Sequence, residues 1–131
     1  MKTWIPRALT ALALCGLAAL PSRAQSLDDT VVQAREALKK KDANALAGAR
    51  QALNRANHPL AQWVEYWELQ DRLADAQQPE LDAFYARWPG SYVEDRLRND
   101  WLLELGRRRD WAHFAAEFPR FKLNDDREVT C

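Results

Sequence analysis

Apolar residues return at helical spacing along most of this chain. Leu27, Val31, Ala34 and Leu38 share one face of a helix predicted to start near Ser26 or Asp28 and end near Lys40. Leu46, Ala49 and Leu53 do the same for a helix running to about Asn54. Leu60, Trp63, Val64 and Trp67 form a dense stripe that Leu73 continues to about Ala76. Leu81, Phe84, Tyr85 and Trp88 point one way from a helix predicted from Pro79 to about Trp88. Leu97, Trp101 and Leu105, with Leu102 beside them, give a fifth helix a wide apolar face. Trp111, Phe114, Ala115 and Phe118 give a sixth helix another.

The polar positions between these stripes are helix ends. Lys39-Lys40-Lys41 suits the negative pole of the first helix, and Asp42 is a good N-cap for the second. Alanines at 43, 45, 47, 49 and 52 let those two helices approach closely. Asn57-His58-Pro59 breaks the chain, with Pro59 expected in the first turn of helix three. Gln77-Gln78-Pro79 and Pro89-Gly90 break it again, and Ser91 with Glu94 has capping-box spacing. Gly106 is expected to loosen the end of helix five, Arg107-Arg108-Arg109 to suit its negative pole, and Asp110 to cap helix six. Pro119 ends helix six, and Asn124-Asp125-Asp126 reads as the cap of a seventh helix begun by Arg127 to Cys131.

Short polar links force antiparallel returns, so the pattern predicts three helical hairpins starting near 27, 59 and 91. The period is about 32 residues, the spacing of stacked helix pairs. Isoleucine is absent after Gln25, and alanine, leucine, arginine and glutamate abound, which is helix composition. The expected fold is all-α: stacked helical hairpins forming a solenoid-like α-superhelix, about six helices after a leader. The tetratricopeptide residue pattern is absent. A stack of three pairs is expected to leave one apolar face uncovered unless more chain follows. Trp63, Trp67, Trp88, Trp101 and Trp111 are all expected on inner faces.

Residues 1–24 read as a secretory signal peptide: Lys2 and Arg7, an apolar run from Ala8 to Leu20, and small residues at Ser22 and Ala24. Cleavage there leaves 25–131, expected in the periplasm without membrane insertion. The leader holds three basic residues and no acidic ones, so 25–131 carries 16 basic and 19 acidic residues, net −3. That balance argues against a general nucleic-acid binder. Cys131 is then the single thiol, and an odd cysteine in an exported protein points to a missing partner.

Candidate chemistry is sparse. His58 and His113 have no neighbouring residues at metal-ligand spacing, so no metal and no cofactor are expected. Ser26 and Ser91 both sit at predicted caps. Glu65, Glu68, Glu94, Glu104 and Glu117 fall at polar helix positions and are read as solvated faces, with no catalytic residue among them. Arg107, Arg108 and Arg109 are the one charge cluster that reads as a candidate contact surface for an acidic partner, against the alternative of a helix end satisfied by its dipole.

Arg96-Leu97, Trp101-Leu102, Glu104-Leu105, Arg107-Arg108 and Asp110-Trp111 resemble the N-terminal superhelical domain of the soluble lytic murein transglycosylases. Pro59-Leu60, Glu65-Tyr66-Trp67 and Cys131 extend the likeness over roughly 27–131. The resemblance implies a scaffold that helps to hold peptidoglycan glycan strands, while a separate lysozyme-like domain cleaves the MurNAc–GlcNAc bond. That domain is absent from these residues, so the chain alone is expected to be inactive and 25–131 to be incomplete at its C-terminus. The resemblance also implies that Cys131 pairs with a cysteine further downstream. The alternative is a stand-alone periplasmic helical-repeat adaptor that binds a protein in its groove.

Overall fold

The computed structural model describes residues 23–123 and 125–131. Residues 1–22, and with them nearly all of the expected leader, lie outside the described residues. The fold is all-α, with no strand among the described residues. Among the described residues seven α-helices follow in order: α1 Arg23–Lys40, α2 Ala43–Arg55, α3 Ala61–Asp71, α4 Gln78–Arg87, α5 Tyr92–Arg108, α6 Trp111–Glu117 and α7 Arg127–Thr130. Single 3₁₀ turns at Leu73–Asp75 and Phe118–Arg120 follow α3 and α6.

The ends are set locally. Asp42, Ser91, Asp110 and Asp126 each accept a backbone N–H of the helix they open. Glu94 accepts nothing back from Ser91 N–H, which donates to Trp88 O; its carboxylate accepts from Gly90 N instead, at 2.6 Å. A full reciprocal box forms at Gln77 and Glu80, from residues the sequence marked only as a break. The predicted third helix stops at Asp71, and Leu73–Asp75 tightens into a 3₁₀ turn. Pro59 lies in the turn before α3, and Leu60 is exposed. Helix five runs through Gly106 to Arg108, and Arg109 takes the left-handed cap at φ 59°. The link is too short for the glycine to serve, because the residue that must turn left is the one directly before the Asp110 cap.

Packing proceeds in series. α1 packs on α2 and α3, α3 on α5, and α5 on α6 and α7. The first core joins Ala34 and Ala37 of α1, Leu46, Ala49 and Leu53 of α2, and Ala61 and Val64 of α3. The second joins α3, α4 and α5 through Leu69, Leu81, Phe84, Leu97, Trp101 and Leu105. A small third core holds Leu102, Phe121 and Val129. Trp67 and Trp88 touch both the first and the second core, and Phe114 touches the second and the third. These bridging rings make one continuous interior from three small ones, the large apolar areas that aromatics bury being well suited to it. No helix among the described residues is long and apolar enough to cross a membrane.

Candidate functional site

An open groove of about 580 Å³ lies beside the third hairpin. α5 lines it with Leu102 and Leu103, α6 with Trp111 and Phe114, and α7 with Val129, while Phe118 and Cys131 complete the wall. Trp111 is 61% exposed and Phe118 37%. The sequence placed both on an inner face, together with Ala115, which is also exposed. The stripe is real, but α6 is only seven residues long and has α5 on one side. The four-residue α7 lines the far wall of the groove. An apolar patch that large on one rim is a contact surface more often than a plain exterior.

The three corner arginines do not act together. Arg107 lies against Glu104, at 2.7 and 2.5 Å. Arg108 also meets Glu104, at 2.7 Å, and stacks over the Trp101 ring with 4.8 Å to its centroid. Its Nη2 donates to the carbonyls of Leu73, Ala74 and Ala76 at 2.9–3.0 Å, so it ties the α3–α4 link to the end of α5. The hydrogen bonds from Arg107 and Arg108 hold the Glu104 carboxyl below its ordinary range against the opposing effect of burial. Arg109 is exposed and has no side-chain partner among the described residues. Cys131 is an exposed free thiol on the groove wall.

The glutamates read as solvated are mostly covered. Glu65 is 3% exposed and Glu117 4%. Glu65 on α3 accepts from Arg87, from Trp88 Nε1 at 2.9 Å and from Asn54 Nδ2 at 3.5 Å, which joins α2, α3 and α4. Glu117 accepts from Arg98 Nε at 3.1 Å and Gln78 Nε2 at 2.9 Å, and Gln78 Oε1 accepts from Trp101 Nε1 at 2.8 Å. Buried charges need such partners, because an unpaired one loses its hydration without return. No local pattern marked these acids, because the arginines that pair with them come from other helices. These carboxylates are spent on structure, and glycoside chemistry requires a carboxyl free to give or take a proton at a substrate.

His58 bridges to Asp28 at 3.1 Å and His113 to Asp110 at 2.7 Å, each within one hairpin or across its corner. The imidazole of His113, aided by its backbone N–H, holds the Asp110 carboxyl below the usual range. Among the described residues no three His, Cys, Asp or Glu side chains gather where they could hold a metal ion. Fold and groove together define an all-α protein with an open apolar groove beside its third hairpin. No known protein-family model, curated protein or solved structure matches the chain.

Proposed function

We propose that this chain is a scaffold segment of a periplasmic peptidoglycan lytic transglycosylase, exported by its leader and devoid of catalytic residues of its own. Its serially packed hairpins are one stretch of an α-superhelix that helps to hold glycan strands, while a separate domain cleaves the MurNAc–GlcNAc bond. The observation that carries this reading is the order of packing, α1 on α3, α3 on α5 and α5 on α7, with the even helices filling between. Support also comes from the resemblance of 96–111, which in this fold is the long helix α5 and the corner after it.

The test is sedimentation with purified sacculi. The expected outcome is that the purified chain spins down with them, competes with added glycan strands, and releases no soluble fragments. A chain that stays in the supernatant, or that cuts glycan by itself, would overturn the reading. The open groove favours a second reading, a helical-repeat adaptor for a periplasmic protein. That reading gains if the chain captures such a protein, loses it on Trp111→Ser, and ignores sacculi.

A further inference from the structure

α3 and α5 pack side by side and carry a row of matched side chains along their seam. Trp63 meets Tyr92 with ring centroids 6.0 Å apart and planes 36° from parallel. Further along, Tyr66 Oη donates to Asp100 Oδ2 at 2.7 Å. Arg96 interacts with the same hydroxyl, which raises the guanidinium's pKa above its ordinary value. At the far end Gln70 Nε2 donates to Asp100 Oδ2 at 3.1 Å. Positions 63, 66 and 70 follow one face of α3, and 92, 96 and 100 one face of α5. The numbers rise together, so the two helices run the same way and the rungs repeat about every turn, roughly 5–6 Å apart. The row changes character along its length. Its first end is aromatic and open: Tyr92 is 57% exposed, and Leu60, one turn before Trp63, is 42% exposed. Trp63 is half-buried and stands edge-on to Tyr66. The other end is polar, with Gln70 exposed and Arg96 and Asp100 half-buried. Both bonds to Asp100 fall on Oδ2, so Oδ1 keeps its capacity to accept.

We propose that this seam binds a saccharide chain, with one pyranose ring laid on Trp63 and Tyr92 and the hydroxyls of the next sugar held by Arg96, Asp100 and Gln70. The inference rests on the glycan reading above and gives it a place on the molecule. Chemistry selects the ligand. The C–H face of a pyranose is apolar and slightly positive at its hydrogens, so it lies well on the negative face of an aromatic ring. The rim of the same sugar carries hydroxyls that both donate and accept. The seam answers them with an acceptor-only carboxylate, a donor-only guanidinium and an amide that does both. Arg96 and Asp100 balance in charge, so an uncharged ligand meets no opposing field. A phosphate chain would meet Asp100, and a basic segment would meet Arg96. A proline-rich peptide also favours aromatic rings, but its prolines have no N–H to give the carboxylate. The bonds from Tyr66 and Gln70 fix Asp100 before any ligand arrives, which lowers the entropy lost on binding.

The test titrates the purified, nitrogen-15-labelled chain with chitotetraose and follows its resonances. The expected result is saturable movement of the Trp63 indole and of backbone amides in 92–100, with the Trp111 indole unmoved. Tyr92→Ala weakens binding about two- to tenfold, the size of one aromatic contact, and Tyr92→Phe restores it. Asp100→Asn weakens binding by a similar factor, while Arg107→Ala, away from the seam, leaves it unchanged. Because Tyr92 is exposed, its variants are expected to keep the parent urea midpoint. No movement at millimolar sugar, or movement confined to the groove around Trp111, overturns the proposal. So does an oligoproline that moves the seam resonances where chitotetraose does not. The sacculus experiment separates this inference from the reading it rests on. A Tyr92→Ala, Asp100→Asn double variant that pellets with sacculi as fully as the parent chain overturns the seam and leaves the scaffold reading standing. A chain that binds chitotetraose at the seam but ignores sacculi keeps the seam and removes the scaffold reading.

Discussion

The first and third hairpins turn the same corner and end in opposite conditions. In both, three basic residues and an aspartate make a left-handed cap followed at once by an N-cap. Beyond the corner, α2 buries Leu46, Ala49 and Leu53 under α3, whereas α6 leaves Trp111 and Phe118 open. Ala49 of α2 corresponds to Glu117 of α6, so an apolar contact in one hairpin is a buried charge pair in the other. The lesson is that a corner is written in four residues, while the fate of the helix after it is decided by what lies across it. α2 is held by area removed from water; α6 is held at its end by Arg98 and Gln78.

The sharpest way to break the third hairpin alone is therefore Arg98→Ala. It leaves Glu117 buried without its guanidinium and is expected to cost about 3–5 kcal/mol in urea unfolding. Arg107→Ala, on the same helix but exposed, is expected to shift the midpoint immeasurably. Next in size is the apolar contrast. Leu46→Ala, at a fully buried site, is expected to cost about 2–5 kcal/mol, and Phe118→Ala, at the open groove, less than about 1 kcal/mol. Similar losses from the two would show that the groove face is already covered in solution.

The corners themselves should respond alike. Lys41→Gly and Arg109→Gly each relieve a left-handed non-glycine residue and are expected to raise stability equally, by up to about 1 kcal/mol. Unequal gains would mean that Lys41, through its bond to Asp71, contributes something Arg109 does not. The smallest effect is in acid. Glu104 has a depressed folded-state pKa, so its pairing with Arg107 and Arg108 contributes stability above the ordinary glutamate value of 4.5. That contribution is lost as the pH falls from there through the lower folded value. Glu104→Gln should flatten the melting temperature against pH in this window, and an unchanged slope would refute the assignment.

Much of the fold was legible in the residues. The stripes at Leu46, Ala49 and Leu53, and at Leu97, Trp101 and Leu105, are buried as their spacing requires. Asp42, Ser91 and Asp110 cap the helices they precede. The candidate site was legible only in part. Cys131 stands on the groove, but the arginine cluster divides into two side chains committed to Glu104 and one that faces outward.

What the sequence determined by itself is whatever acts within a turn or two of helix: which stretches coil, where they stop, and which side of each is apolar. Those are contests between a side chain and its own neighbouring backbone, so a window of residues contains both parties. Only the tertiary structure decided which apolar side is covered, and which carboxylates go inside. Glu65 is buried because α2 and α4 bring Asn54, Arg87 and Trp88 to it, and Trp111 is exposed because no long helix among the described residues crosses it. Burial depends on a partner distant in sequence, and no local pattern records whether that partner arrives.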